Sequence, residues 1–191
     1  TGYADAVTGA TPLALVKEGI KNGESLSGLM DQVPTHMQMF YGHMGGSMGE
    51  VAAIALLLGL VYMLIRKTIT WHIPVSVLGS VALFTWILWL IDPTKNADPL
   101  FHLLTGGVML GAIFMATDYV TSPISAKGQI VYGVGCGFFT FLFRAFGGMP
   151  EAVSVWILLM NVITPTIDRF IVPRKFGDTR EQRTLAKERK V

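Results

Sequence analysis

The residues best suited to chemistry lie near the start of the chain, in the heptad Asp5-Ala6-Val7-Thr8-Gly9-Ala10-Thr11. A carboxylate and two hydroxyls stand within seven positions, and the small Gly9-Ala10 pair leaves the last hydroxyl accessible. Thr11 precedes Pro12, and Thr-Pro is an ordinary helix start, with threonine as N-cap and proline as the first helical residue. A helix start there presents free backbone N–H groups and the positive end of the helix dipole to an anionic group near Thr11. Asp5 either binds a metal or orients the hydroxyl. Capping alone also accounts for Thr11 without any chemistry.

A second group consists of ionisable residues beside or inside apolar runs. Glu50, Asp118 and Arg144 are of this kind, and such residues are functional candidates because a charge in lipid is costly. Asp118 and the Thr117, Thr121 and Ser122 hydroxyls either line a cofactor or ion path or form a helix-end network. Such a network would satisfy backbone groups freed by Pro123 and Pro165. His102 reads as an interfacial hydrogen-bonding residue, and its depth does not match that of His72, which argues against a haem held by the pair. Cys136 is the only cysteine. That excludes a disulfide framework and a cysteine-ligated cluster built by this chain alone. No acid–base or nucleophilic triad is present, and no metal site is expected.

The elements that must position these residues are apolar helices. Of 191 residues, 51% are hydrophobic and 15% charged, whereas a soluble domain carries about a quarter charged residues. Disorder is excluded by the same balance. The net charge of +2 argues against a nucleic-acid partner. Five stretches are about long enough to cross a bilayer: Ser47 to Ile65, Trp71 to Ile91, Pro99 to Thr117, Ile130 to Phe146 and Val153 to Ile171. The expected fold is an all-α integral membrane protein, a bundle of about five transmembrane helices. An outer-side segment containing a short helix after Thr11 precedes it. Two small-xxx-small pairs, Gly107/Gly111 and Gly133/Gly137, are expected to let helices approach closely.

Eleven of the fifteen Lys and Arg residues fall on one side of these spans. The bias makes that side cytoplasmic and leaves Thr11, His43 and His102 on the outer side. Three regions follow: an outer-side segment (1–46), a five-helix transmembrane domain (47–171) and a basic cytoplasmic tail (172–191) set against anionic lipid.

The heptad resembles the Asp-x-x-Ser/Thr-Gly-Ala-Thr flavinylation motif, in which a flavin transferase joins FMN through a phosphoester to the last threonine. Thr8 stands where serine is the commoner choice. The stretches Phe101–Gly111, Met115–Pro123, Phe143–Glu151 and Leu159–Pro165 resemble the RnfD/NqrB family of membrane flavoprotein subunits. The Phe146-Gly147-Gly148 turn and the Pro173–Gly177 segment look more like RnfD. Tyr119 departs from the family, where proline commonly follows the aspartate.

The resemblance implies FMN held covalently on Thr11, with Asp5, Thr8, Gly9 and Ala10 as its motif, and a second flavin such as riboflavin. His102, Thr105, Asp118, Thr121 and Ser122 complete the candidate cofactor-binding set. It further implies an electron-transfer subunit of a complex coupling ferredoxin:NAD⁺ electron transfer to Na⁺ or H⁺ translocation in a bacterial inner membrane. No complete active site would lie in this chain alone. The partners would be other membrane and iron–sulfur or flavin subunits, the flavin transferase and membrane lipid. A start at Thr1 and five spans suggest the C-terminal half of a longer subunit. The alternatives are a cofactor-free transporter or channel half and a structural membrane anchor.

Overall fold

The computed structural model describes residues 11–171, apart from residues 24, 47, 48, 50, 94, 95, 148–150 and 152. Regular structure among the described residues is wholly helical. Glu50 and the basic tail lie outside them, as do Asp5, Thr8, Gly9 and Ala10.

The N-terminal segment folds as three short helices: α1 (Pro12–Lys21), α2 (Leu26–Gln32) and α3 (His36–Tyr41). Helix α1 begins where the sequence predicts. Thr11 is its N-cap, accepting from the Ala14 N–H at 3.4 Å, and Pro12 occupies the first turn, where a missing N–H costs nothing. Its apolar residues Leu13 and Val16 pack against Val33, Met39, Ala97 and Phe101. Helix α3 ends at Gly42, whose φ of 93° is a left-handed conformation that favours glycine.

The apolar stretches become α4 (Ala53–Ile65), α5 (His72–Ile91), α6 (Pro99–Leu104), α7 (Val108–Leu110), α8 (Ala126–Ala145) and α9 (Val153–Phe170). Among the described residues, α5 and α9 are long and apolar enough to cross a membrane. Outward-facing Leu58, Leu83, Leu90, Leu158 and Val162 are large and exposed. Helices apolar on their outer face as well as toward the core suit lipid rather than water.

Three boundaries differ from expectation. The first stretch is helical from Ala53 only. The fourth begins four residues early, because Ser125 caps it by accepting from the Gly128 N–H at 3.0 Å. The third, expected to be continuous from Pro99 to Thr117, is broken. It runs as α6, a Thr105-Gly106-Gly107 turn, then α7, which passes directly into a π turn over Gly111–Met115. Gly106 and Gly107 both have a φ of 67°, a left-handed pair that no α-helix accommodates.

The core runs between α5 and α8, with Val77, Val81, Tyr132 and Cys136 almost wholly buried. Gly133 and Gly137 lie against Ser76 and Ser80, and a Cβ on either glycine would overlap the facing serine hydroxyl. Those hydroxyls donate within their own helix, to Ile73 O at 3.0 Å and Val77 O at 2.9 Å, so nothing polar is left unpaired at the seam. The Gly133/Gly137 reading therefore holds. The Gly107/Gly111 reading does not: Gly107 lies in the break, and Gly111 alone packs, against Val153 and Ile157 of α9.

Candidate cofactor-attachment site

Thr11 sits at the start of α1, its hydroxyl donating to the side-chain carboxylate of the exposed Glu151, 140 residues away in sequence. The same oxygen accepts from the Ala14 N–H. The alcohol thus has a proton acceptor on one side and a helix N-terminus on the other. Sequence reasoning missed Glu151. Its only signal was a carboxylate in the short connection before α9, and nothing local pairs that connection with α1.

One turn and a half along α1, Lys17 reaches the C-terminal end of α8. Its ammonium donates to the carbonyls of Phe143 at 3.2 Å, Arg144 at 2.9 Å and Gly147. A cation there meets carbonyls at and just beyond the last turn of α8, at the negative end of the helix dipole. Burial lowers the Lys17 pKa below its ordinary value, with the Lys21 and Arg144 charges adding to the effect. The three carbonyls offset the cost of holding the ammonium there.

Arg144 fills the break in the third apolar stretch. Its guanidinium donates to the carbonyls of His102, of Thr105 at 2.8 Å and of Gly106 at 3.1 Å. The Thr105 hydroxyl donates to Phe101 O at 2.6 Å. Arg144 is only 6% exposed, and the fork of a guanidinium is the group able to serve several acceptors at once. The sequence marked Arg144 as a costly charge, and these backbone carbonyls are its partners. The Nδ1 of His102 is buried with no hydrogen-bond partner among the described residues.

Between α1, the end of α5, α6 and α8 lies a cleft of about 300 Å³. Lys17, Lys21, His102 and Arg144 line it together with Leu13, Val16, Phe101 and Phe141. A cleft that is cationic in part and apolar in part, lined by the helix that Thr11 caps, has the chemistry to suit a phosphate bearing a flat apolar ring. The residues present fit such a group.

The remaining candidates stand elsewhere. Asp118 accepts from the Thr121 hydroxyl at 3.0 Å, and its carbonyl accepts from the Ser122 N–H at 3.2 Å. Asp168 accepts from the Ile124 N–H at 3.2 Å, and the Thr117 hydroxyl donates to Ile113 O at 2.7 Å. Tyr119 donates to Thr68 O. These groups cap and tie helix ends around Pro123. His102 and Thr105 therefore share a region with α1, through Arg144 and Lys17, while Asp118, Thr121 and Ser122 do not. No group of three or more His, Cys, Asp or Glu side chains suited to a metal occurs among the described residues.

Residues 1–177 match the profile of the NQR2, RnfD, RnfE family. The chain belongs to this family. It is 45% identical over 178 residues to the D subunit of the Na⁺-translocating ferredoxin:NAD⁺ oxidoreductase complex of Acetobacterium woodii, covering 92% of this chain and 51% of that protein. It is 46% identical over 178 residues to the D subunit of the proton-translocating ferredoxin:NAD⁺ oxidoreductase complex of Clostridium ljungdahlii, covering 92% and 53%. Over 191 residues it is 38% identical to the D subunit of the ion-translocating oxidoreductase complex of Halorhodospira halophila, covering 99% and 54%. The chain spans about half the length of these RnfD-type relatives.

Proposed function

We propose that Thr11 carries FMN through a phosphoester and that the protein is an electron-transfer subunit of an Rnf-type complex. The complex would couple ferredoxin:NAD⁺ electron transfer to translocation of Na⁺ or H⁺, the two ions named for the relatives from A. woodii and C. ljungdahlii. The observation that carries the reading is the position of Thr11, the last residue of the heptad. It is the N-cap of α1, the helix whose Leu13, Val16, Lys17 and Lys21 line a cleft that is cationic and apolar by turns. Lys17 and Arg144 would face the phosphate, and the apolar wall of Leu13, Val16 and Phe101 would face the ring. The bound flavin would supply one- and two-electron transfer, and the protein would supply position and electrostatics.

The same reading takes five apolar stretches as spans, the third of them broken, and divides the chain at residues 46 and 171. It puts Thr11 outside and the basic tail inside a bacterial inner membrane, on the charge bias. Other subunits of the complex and a flavin transferase are its partners. A second flavin, such as riboflavin, belongs to the reading as well, with Asp118, Thr121 and Ser122 as its candidate ligands.

The test is in-gel flavin fluorescence of denatured protein made together with its transferase. Wild-type protein should fluoresce and Thr11→Ala should be dark. A dark wild type overturns the reading.

A further inference from the structure

Helices α3 and α4 end in the same closing turn, with different residues in its left-handed position. At the end of α3 the His43 N–H donates to Gln38 O at 2.8 Å and the Gly42 N–H to Met39 O at 3.2 Å. At the end of α4 the Thr68 N–H donates to Met63 O at 2.9 Å and the Lys67 N–H to Leu64 O at 3.0 Å. The φ is 93° at Gly42 and 54° at Lys67. Glycine takes that conformation freely, whereas a side chain there is strained. Lys67 is the only residue other than glycine with a positive φ among the described residues. A cation favours the negative end of a helix dipole, but Arg66 beside it already supplies one. Lysine is therefore held at this turn at a cost to stability, which points to a use for its charge.

Its surroundings indicate what that charge meets. The Tyr119 hydroxyl donates to Thr68 O, one residue beyond Lys67, and the Thr70 hydroxyl donates to Gln129 Oε1 at 2.8 Å. These contacts gather the end of α4, the connection before α8 and the first turn of α8 at one end of the molecule. Tyr119, Val120 and Ile124 are 73%, 89% and 79% exposed there. Arg66, Lys67 and Lys127 are exposed beside them, and their side chains have no hydrogen-bond or ion-pair partner among the described residues. The nearby carboxylates are engaged: Asp118 accepts from the Thr121 hydroxyl at 3.0 Å and Asp168 from the Ile124 N–H at 3.2 Å. The apolar part continues the outward face of α4, where Leu58, Val61 and Ile65 are exposed. An apolar helix face, then the exposed rings of Trp71 and Tyr119, then unpartnered cations match the chains, glycerol boundary and phosphates of one lipid leaflet. We propose that Arg66 and Lys67 hold the phosphate of an anionic phospholipid whose headgroup lies beside Tyr119 and whose chains run along α4. This rests on the reading of α4 as a span and is independent of Thr11.

The experiment uses the full-length subunit in nanodiscs of phosphatidylcholine alone and of phosphatidylcholine mixed with phosphatidylglycerol. Melting temperature is read in each, and the lipid retained in detergent is counted by native mass spectrometry. Wild type should retain phosphatidylglycerol in preference to phosphatidylcholine and melt higher in its presence. Lys67→Gly should melt about 2 °C or more above wild type in phosphatidylcholine, because the closing turn relaxes. It should nevertheless retain phosphatidylglycerol about fivefold less, one basic residue's share of binding at an anionic surface. Lys67→Arg should retain it as wild type does. Glycerol 3-phosphate, a phosphate without chains, should not displace the lipid; displacement would mark a site for free phosphate and overturn the proposal. Lys67→Gly that melts no higher than wild type in phosphatidylcholine, or that retains phosphatidylglycerol as wild type does, also overturns it. Loss of a second subunit from a variant with normal lipid retention would assign the patch to a protein partner instead. A subunit that alkaline carbonate strips from membranes overturns the span reading and the proposal with it.

Discussion

Gly107/Gly111 and Gly133/Gly137 have the same spacing and opposite uses. In α8 the pair stays within a continuous helix and brings the backbone against Ser76 and Ser80 of α5. In the third apolar stretch Gly106 and Gly107 leave the helix altogether, and the carbonyls they release are gathered by Arg144. Spacing marks small residues. Whether they form a seam or a break depends on what stands opposite: two serines whose hydroxyls are already satisfied, or a cation in need of acceptors.

The contrast is sharpest in substitutions. At the seam, Gly133→Leu has no room to repack and should leave no folded protein on size exclusion in detergent. Gly133→Ala should cost about 1–3 kcal/mol in thermal melts, and Ser76→Gly in the same chain should return part of it. A Gly133→Ala protein as stable as wild type would remove the seam from the account. At the break, Arg144→Leu leaves buried carbonyls without their donor and should cost about 3 kcal/mol, each buried orphan being worth roughly 1–3 kcal/mol.

Gly106→Ala should cost about 1–2 kcal/mol from its backbone conformation alone. Its Cβ would also meet Arg144 Nη2 at 2.5 Å and Leu13 Cδ2 at 2.8 Å. Gly111→Ala should be milder, under about 1 kcal/mol, because its new neighbours are the movable side chains of Val153 and Ile157. If Gly106→Ala and Gly111→Ala proved equal, the break would be no more demanding than an ordinary helix contact. The smallest global effect is expected for Lys17→Met. It unfastens α1 from the end of α8, and hydrogen exchange in α1 should rise about tenfold while the melt of the remaining helices stays within about 0.5 kcal/mol.

Local features were legible in the sequence. Thr11-Pro12 announced the start of α1 because capping involves residues within one turn. The apolar runs announced α5 and α9 because length and hydropathy are properties of the run itself. The third run misled because its apolar residues continue on both sides of the Thr105-Gly106-Gly107 turn. Its break depends on Gly106 and Gly107 taking left-handed conformations, which hydropathy does not register.

By itself the sequence determined the family, the apolar helices and the threonine at a helix start. Each is written in neighbouring residues or in a motif, and needs no knowledge of how the chain turns back on itself. Only the tertiary structure decided that Glu151 meets Thr11, that Lys17 closes the end of α8, that Arg144 enters the broken stretch, and which glycine pair forms the seam. Those contacts join residues 38 to 140 positions apart. Their partners are fixed by the packing of helices, and the energy that holds a buried cation or an exposed carboxylate in place comes from groups the local sequence does not contain.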